Sequence, residues 1–216
     1  PFYRRCFETL HKQGVTRVLS SEVGEILKID PATIRRDFSY IGELGRQGYG
    51  YDVSTVLAAL NTFLDLENTI KGVIIGVGNL GHAFLDYILT RTEKNELTPI
   101  KIVSGFDVDP TIVGTKVHGV DILHIDLLKE VIHREEVKVA VLSVPTNEAN
   151  PIAKRLEACG VEGIFNFSST SLAVSKDVYV YDVDLLNELQ SFLFFVKNKY
   201  TKWFYDEGMP LGGILF

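Results

Sequence analysis

Residues Lys71 to Gly81 read Lys-Gly-Val-Ile-Ile-Gly-Val-Gly-Asn-Leu-Gly, and no other stretch constrains the chain as much. An apolar strand runs straight into a G-x-G-x-x-G turn at Gly76, Gly78 and Gly81, and helical spacing follows. Gly76 permits the tight turn. Gly78 lets the backbone approach a pyrophosphate. Gly81 lets the next helix pack close on the strand, so that the helix N-terminus faces the anion. Val77, Asn79 and Leu80 complete the loop. A strand, turn and helix of this kind predict a doubly wound α/β sheet that binds a dinucleotide. In a simple dehydrogenase such a turn tends to open the domain, yet 70 residues precede Lys71 here. A second unit occupies the N-terminus.

The 216 residues suit one large or two small domains. A hydrophobic fraction of 46% and a charged fraction of 23% are those of a globular protein. No apolar run approaches the roughly 20 residues of a membrane span, no secretory signal is visible, and the chain opens on Pro1 rather than Met. Cys6 and Cys159 are too few and too far apart for a disulfide framework, which fits a reducing cytoplasm. The net charge of −6 argues against a uniformly basic nucleic-acid binder, but it is unevenly spread. Residues 1–50 carry eight Lys/Arg against six Asp/Glu, and the remainder fourteen against twenty-two. A mildly basic head on an acidic body is compatible with a head that meets phosphate.

Phe2, Tyr3, Cys6, Phe7 and Leu10 fall at helical spacing, and Gly14 ends that helix. Ser20 and Ser21 offer N-cap oxygens for a short helix over Ser21–Lys28. Asp30-Pro31 starts a third, over Pro31–Ile41, with Ile34, Phe38 and Ile41 on one face. Thr33, Arg35, Arg36 and Ser39 point elsewhere. Two short helices joined by a tight turn, the second exposing Thr and two Arg near its start, form the helix-turn-helix pattern. Arg reads guanine bidentately and Thr meets a base edge or methyl. On these residues alone an ordinary three-helix cap with solvated arginines fits equally well. Gly42 through Tyr51, with four glycines and Arg46, Gln47 and Gly48 at its tip, reads as the wing of a winged helix and tips the balance. Arg46 suits a narrow minor groove. A helix over Val53–Leu66 leads into the sheet.

Downstream, Ile100–Phe106 is a second strand ending in Asp107, 26 residues after Gly81. An acid there accepts from both ribose hydroxyls and repels a 2′-phosphate, favouring NAD(H) over NADP(H); Val108 follows it. Val137–Ser143 is a buried strand ending at Val144-Pro145, Asn147–Cys159 a helix, and Gly163–Asn166 the next strand. Val144, Pro145, Asn166 and Phe167 thus stand at carboxyl ends of strands, on the nicotinamide side of the crevice. An apolar pocket there favours the uncharged reduced ring over the cationic oxidised one. Tyr179–Asp184 is a last strand. From Asp184 as N-cap a helix apolar nearly all round runs to about Tyr200, packed either on its own sheet or on a partner.

The chain resembles the Rex family of bacterial redox-sensing transcriptional repressors. The resemblance rests on Ser20-Ser21-Glu22, Ile34 through Ser39, Gly42 through Tyr51, Gly76 through Gly81, Phe106 through Pro110, Val144-Pro145, and Gly163 through Phe167, in the family's order. It implies a winged-helix domain (1–67), a Rossmann NAD(H)-binding domain (68–183), and a C-terminal helix (184–204) exchanged between the subunits of a homodimer. It implies operator DNA bound without NADH and released with it. It also implies that Arg5, Tyr87 and Asp184 form an interdomain network, Arg5 and Asp184 pairing in one ligand state only. Relatives often have Gly-Lys-Arg-Gly in the wing where this chain has Gly45-Arg46-Gln47-Gly48. Ser168-Ser169 stands where Ala-Pro is common, and the residues after Lys199 have no counterpart in the family.

The competing reading is a small NAD-dependent oxidoreductase with an accessory helical domain. That enzyme needs an acid/base group near the nicotinamide, and His82, His118, His124 and His133 form no convergent motif. The residues after the glycine turn complete a sheet and leave no substrate domain. No ligand cluster has metal-binding spacing.

Overall fold

The computed structural model describes every residue except Gln47, Glu67, 95–98 and 199–216. It divides into Pro1–Glu67, to which the end of the last helix from Leu189 is assigned, and Asn68–Glu188.

The first unit runs α1 (Phe2–Lys12), β1 (Arg17–Val18), α2 (Ser20–Leu27), α3 (Pro31–Ile41), β2 (Gly45–Arg46), β3 (Gly50–Asp52) and α4 (Val53–Phe63). Local chemistry sets the helix starts. The Asp30 carboxylate accepts from the Ala32 N–H at 2.6 Å with Pro31 at the first helical position, and Asp52 accepts from the Thr55 N–H at 2.8 Å. Each such cap stabilises by about 1 kcal/mol. Phe7, Val23, Ile34, Phe38, Val53 and Val56 are fully buried. Phe38 is the hub, edge-on to Tyr3, Phe7 and Tyr51 with ring centroids 5.0, 5.7 and 4.9 Å away. β1, β3 and β2 form an antiparallel sheet in that order. Helix-turn-helix and β-hairpin together make a winged helix.

The second unit runs β4 (Ile70–Ile75), α5 (Asn79–Glu93), β5 (Ile100–Asp107), β6 (Lys116–Val117), β7 (Val120–His124), α6 (Leu128–Glu135), β8 (Val139–Leu142), α7 (Thr146–Ala158), β9 (Gly163–Asn166) and β10 (Tyr179–Asp182), and α8 (Leu185–Asn198) follows. The sheet order is β10-β9-β8-β4-β5-β7-β6, parallel except for β6 against β7. Successive side chains of β4 serve opposite faces. Val73 and Ile75 join Leu128, Ile132, Ala153 and Leu156 of α6 and α7, while Ile74 joins Leu85 and Ile88 of α5. A sheet covered on both faces needs near-continuous apolar strands, as β4 and β8 have. Strand order reverses between β4 and β8, the switch point where such folds take ligands.

β8 (Val139–Leu142), α7 (Thr146–Ala158) and the ends of β5 (Asp107) and α2 (Leu27) differ from the sequence reading by only a residue or two, and three further boundaries differ for an identifiable physical reason. α4 stops at Phe63 rather than Leu66, since the chain turns through Asp65 at φ +48°. β10 stops at Asp182, because Asp184 caps α8 instead of extending the strand: its Oδ1 accepts from the Leu186 and Asn187 N–H groups, each at 3.0 Å. α2 starts at Ser20, so neither Ser20 nor Ser21 is its N-cap. Leu19 is, and the Glu22 carboxylate reaches back to the Leu19 N–H at 2.6 Å. The expected end of α8 near Tyr200, and everything after Lys199, lie outside the described residues.

Candidate functional site

In the second unit the crevice is built around the Gly76–Gly81 turn. Gly76 leaves β4 at φ +83°, and a Cβ there would stand 2.3 Å from the Ser143 carbonyl oxygen at the end of β8. A Cβ on Gly81 would stand 1.9 Å from the Gly76 carbonyl oxygen, which also accepts from the Ser143 hydroxyl at 2.9 Å. Helix, strand end and neighbouring strand therefore meet with no room for a side chain. Gly78 has open space where its Cβ would be. It is the N-cap of α5 and has no side chain with which to cap it, so the first-turn N–H groups at Asn79 and Leu80 face outward for an anion. Leu80 is itself exposed.

Asp107 ends β5 beside this turn. One carboxylate oxygen accepts from the Val77 N–H at 2.7 Å, and the other from the Val108 and Asp109 N–H groups at 2.7 and 3.0 Å. An ionised carboxylate has about four acceptor positions, so the acid both braces the glycine turn and keeps acceptor capacity for a ribose hydroxyl. Val108 is 67% exposed beside it.

Across the switch point, Val144 is half-buried and Pro145 exposed at the start of α7. Phe167 is half-buried in an aromatic cluster, edge-on to Phe84 of α5 at 5.2 Å and to Phe165 at 5.1 Å. Phe165 in turn stacks on Tyr181 at 5.4 Å and 2°. Asn166 differs from the expected ligand contact. It is 1% exposed, its amide donates to the Thr170 carbonyl and to Asp182, and its oxygen accepts from the Ser168 N–H and hydroxyl. All four side-chain hydrogen-bonding positions are spent inside the protein, so Asn166 shapes the strand ends rather than holding a ligand through its amide. Asn166, Ser169, Thr170, Asp182 and Asp184 line a polar cup of about 200 Å³.

Tyr87 and Asp184 have local partners in this unit. The Tyr87 ring lies under the Arg91 guanidinium, 4.6 Å from its centroid, and Asp184 caps α8. Arg5 is exposed on α1 of the other unit. His118, one of the four histidines that form no convergent motif in the sequence, sits at φ +46° in the β6–β7 turn. Its Nε2 meets Asp86 at 2.8 Å and its Nδ1 meets Glu93 at 2.9 Å. Those hydrogen bonds, Asp86 first, push the imidazole above its ordinary pKa.

In the first unit, Arg36, Ser39 and Tyr40 are exposed on α3 and Thr33 is half-buried. Arg35 is exposed too, but its Nη1 donates to the Ser20 hydroxyl at 3.0 Å. Ser20, Arg35, Gly45, Gly48, Gly50 and Tyr51 line a groove of about 580 Å³ between the helix-turn-helix and the wing. β2 and β3 pair Gly45 with Tyr51 and Arg46 with Gly50; Gln47 lies outside the described residues. No sequence motif marks Gly24, on α2. A Cβ there would stand 2.6 Å from the Ile29 carbonyl oxygen, so the turn into α3 requires the glycine. Cys6 is buried, which pushes its thiol pKa up, and Cys159 is half-buried. Among the described residues no group of three or more His, Cys, Asp or Glu could hold a metal ion. No described helix is long and apolar enough to cross a membrane.

Comparison with known proteins covers both units. Residues 67–170 match the family described as "CoA binding domain", and residues 1–39 the family described as "Putative DNA-binding protein N-terminus". The chain is 46% identical over 198 residues to the redox-sensing transcriptional repressor Rex of Anoxybacillus flavithermus, covering 92% of this chain and 90% of that protein. Identity to the Rex repressor of Geobacillus kaustophilus is also 46% with the same coverage. Among solved structures, RSP in complex with β-NAD⁺ and operator DNA superposes with a TM-score of 0.81 at 32% identity, over 93% of this chain and 91% of that one. RSP in complex with β-NADH gives 0.79 at 28% identity, over 93% of each chain.

Proposed function

The chain belongs to the Rex family of redox-sensing transcriptional repressors, and from that membership we propose that it binds operator DNA as a homodimer and releases it when NADH binds. The observation that carries this reading is the extent of the similarity, which at 46% identity runs through both units. We assign 1–67 to the DNA-binding winged helix, 68–183 to the NAD(H)-binding Rossmann domain, and 184–204 to a helix exchanged between subunits. Residues 205–216 receive no role. The chain is a regulator, and the nucleotide is an effector it does not consume. Such a regulator works in the cytoplasm, where operator and NADH pool are both present.

The glycine turn receives the pyrophosphate through Gly76, Val77, Gly78, Asn79, Leu80 and Gly81. Asp107 accepts from the adenosine ribose beside Val108. That acid opposes any ribose that carries a phosphate, so NAD(H) is favoured over NADP(H), and also over coenzyme A with its ribose 3′-phosphate. Val144, Pro145 and Phe167, next to the Phe84–Phe165–Tyr181 cluster, form the apolar side where an uncharged dihydronicotinamide is cheaper to bury than the cationic oxidised ring. Asn166 and Asp184 hold the strand ends and the start of α8 around it. NADH shifts the dimer only by as much as its affinity differs between the DNA-bound and released states. Arg5, Tyr87 and Asp184 are the proposed state-dependent contacts. In the head, Thr33, Arg36 and Ser39 face the major groove, and Arg46, Gln47 and Gly48 the minor groove, with Ser20, Ser21 and Arg35 alongside.

The test is to select duplexes from a random pool with the purified protein, then measure affinity for the winners at fixed salt with NADH, NAD⁺, NADPH or coenzyme A. We expect tight binding that NADH alone abolishes. Equal release by all four nucleotides, or turnover of a hydroxy-acid or aldehyde, overturns the proposal.

A further inference from the structure

The two neighbouring arginines of α3 stand in different places. At about 100° per residue, Arg36 projects about 170° away from the mean direction of Ile34, Phe38 and Ile41, whereas Arg35 projects only about 90° from it. Arg36 therefore crowns the outward face, with Ala32 and Tyr40 on either side, all exposed. Arg35 lies on the flank, where its Nη1 is tethered to the Ser20 hydroxyl at 3.0 Å. Across from it is Tyr51 of the wing, whose hydroxyl is pushed up in pKa by burial and pulled back by the positive charge of Arg35. The groove they share, about 580 Å³, is floored by Gly45, Gly48 and Gly50. Gly48, whose Cβ would meet nothing within 4 Å, leaves the wall there without a side chain to keep a nucleic-acid strand at a distance. A helix entering the major groove presents its outward face to base edges, and its flanks pass the sugar-phosphate rails.

We propose that the two arginines divide the labour of operator recognition. Arg36 reads a base, while Arg35, held in place by Ser20, grips a backbone phosphate in the groove between helix and wing. This rests on the functional reading above, because it presumes that the head binds DNA. Ser20 is a positioning residue: its hydroxyl accepts one guanidinium N–H and so fixes the direction of the remaining donors. The guanidinium has five N–H donors, which leaves the far edge of the fork free for a phosphate.

The two roles leave different signatures. Neutralising a phosphate contact lowers the dependence of log K on log salt by about 0.9 per head, or about 1.8 for a two-headed complex. It weakens all sequences alike. Losing a base contact leaves the salt slope of a phosphate-bound complex nearly intact and relaxes preference at one base pair per half-site.

The experiment measures affinity of wild type, Arg35→Ala, Arg36→Ala, Ser20→Ala and Ser20→Thr for a selected duplex and its single-base-pair variants, at several salt concentrations. Thermal unfolding of each variant checks that it is folded. Arg35→Ala is expected to lose about tenfold uniformly per head with a shallower slope. Arg36→Ala is expected to lose discrimination at one base pair, about 5- to 100-fold. Ser20→Ala should follow Arg35→Ala in part, and Ser20→Thr, which keeps the hydroxyl, should recover it. If Arg35→Ala relaxes a base preference at unchanged slope, or Ser20→Ala behaves as wild type, this division is wrong while DNA binding stands. If the wild type selects no duplex, both readings fall.

Discussion

Gly81 and Gly78 stand three residues apart in one turn and should fail in opposite ways. A Cβ on Gly81 would stand 1.9 Å from the Gly76 carbonyl oxygen and 2.6 Å from the Ser143 hydroxyl. To reach ordinary contact the oxygen must retreat by more than about 1 Å. It is backbone at the end of β4 and is hydrogen-bonded to Ser143, so α5 must move instead, lifting Leu85 and Ile88 off the sheet. Overpacking of this sort costs about 1–3 kcal/mol and occasionally more. Alanine's helix preference over glycine returns at most about 1 kcal/mol. We expect a net loss in Gly81→Ala, read as a fall in Tm of about 2–8 °C for a chain of this length. Gly78 is different: its φ of −69° suits alanine, and its Cβ would meet nothing within 4 Å. Gly78→Ala should leave the unliganded Tm unchanged or raise it by a degree or two. Its methyl would instead intrude on the proposed pyrophosphate site, weakening NADH by about ten- to a hundredfold. Differential scanning calorimetry of the ligand-free proteins, paired with titration calorimetry of NADH, separates the two. If Gly81→Ala melts with the wild type, or Gly78→Ala binds NADH as tightly as the wild type, the packing argument is refuted.

Further consequences concern single side chains. Asp107→Ala should weaken NADH and narrow the gap to NADPH in calorimetry, since it removes the proposed ribose acceptor together with the brace on Val77; a wild type that binds NADPH as tightly as NADH would sink the assignment. Asp184→Ala should cost about 1 kcal/mol as a lost cap and leave NADH bound but less able to change operator affinity, and a full NADH response in that variant would remove Asp184 from the switch. His118 has its folded pKa raised by Asp86 and Glu93, so its stabilisation is fully present below about pH 6.5 and is lost as pH rises through the elevated folded value. Melting temperature followed from about pH 6 to pH 9 should show a decline that His118→Gln flattens, and parallel curves for the two proteins would contradict the clasp.

The features legible in the sequence are those carried by local chemistry. The glycine turn, Asp30-Pro31 at the start of α3, the wing glycines, and Asp184 as a cap all depend on residues within a few positions of one another. Sequence reasoning missed contacts between distant residues. Ser20 looked like a helix cap because serine commonly is one; its hydroxyl instead serves Arg35, fifteen positions away. Asn166 looked like a ligand group at a strand end, and only the fold reveals that Asp182 and Thr170 exhaust its amide. Asp107 was legible as an acid at the end of β5, but not as a brace for Val77, which is thirty residues earlier. His118 carried no motif because its partners lie on another element.

One consequence of α8 lies in how the cell makes this protein. Leu185, Leu186, Leu189, Phe192, Leu193 and Val196 are between 39% and 63% exposed, an oily stripe of the sort that chaperones and proteases survey. If a second copy covers that stripe, a chain fresh from the ribosome is a quality-control client until it meets another, and such meetings scale with the square of concentration. Working repressor would then fall faster than transcript as expression drops.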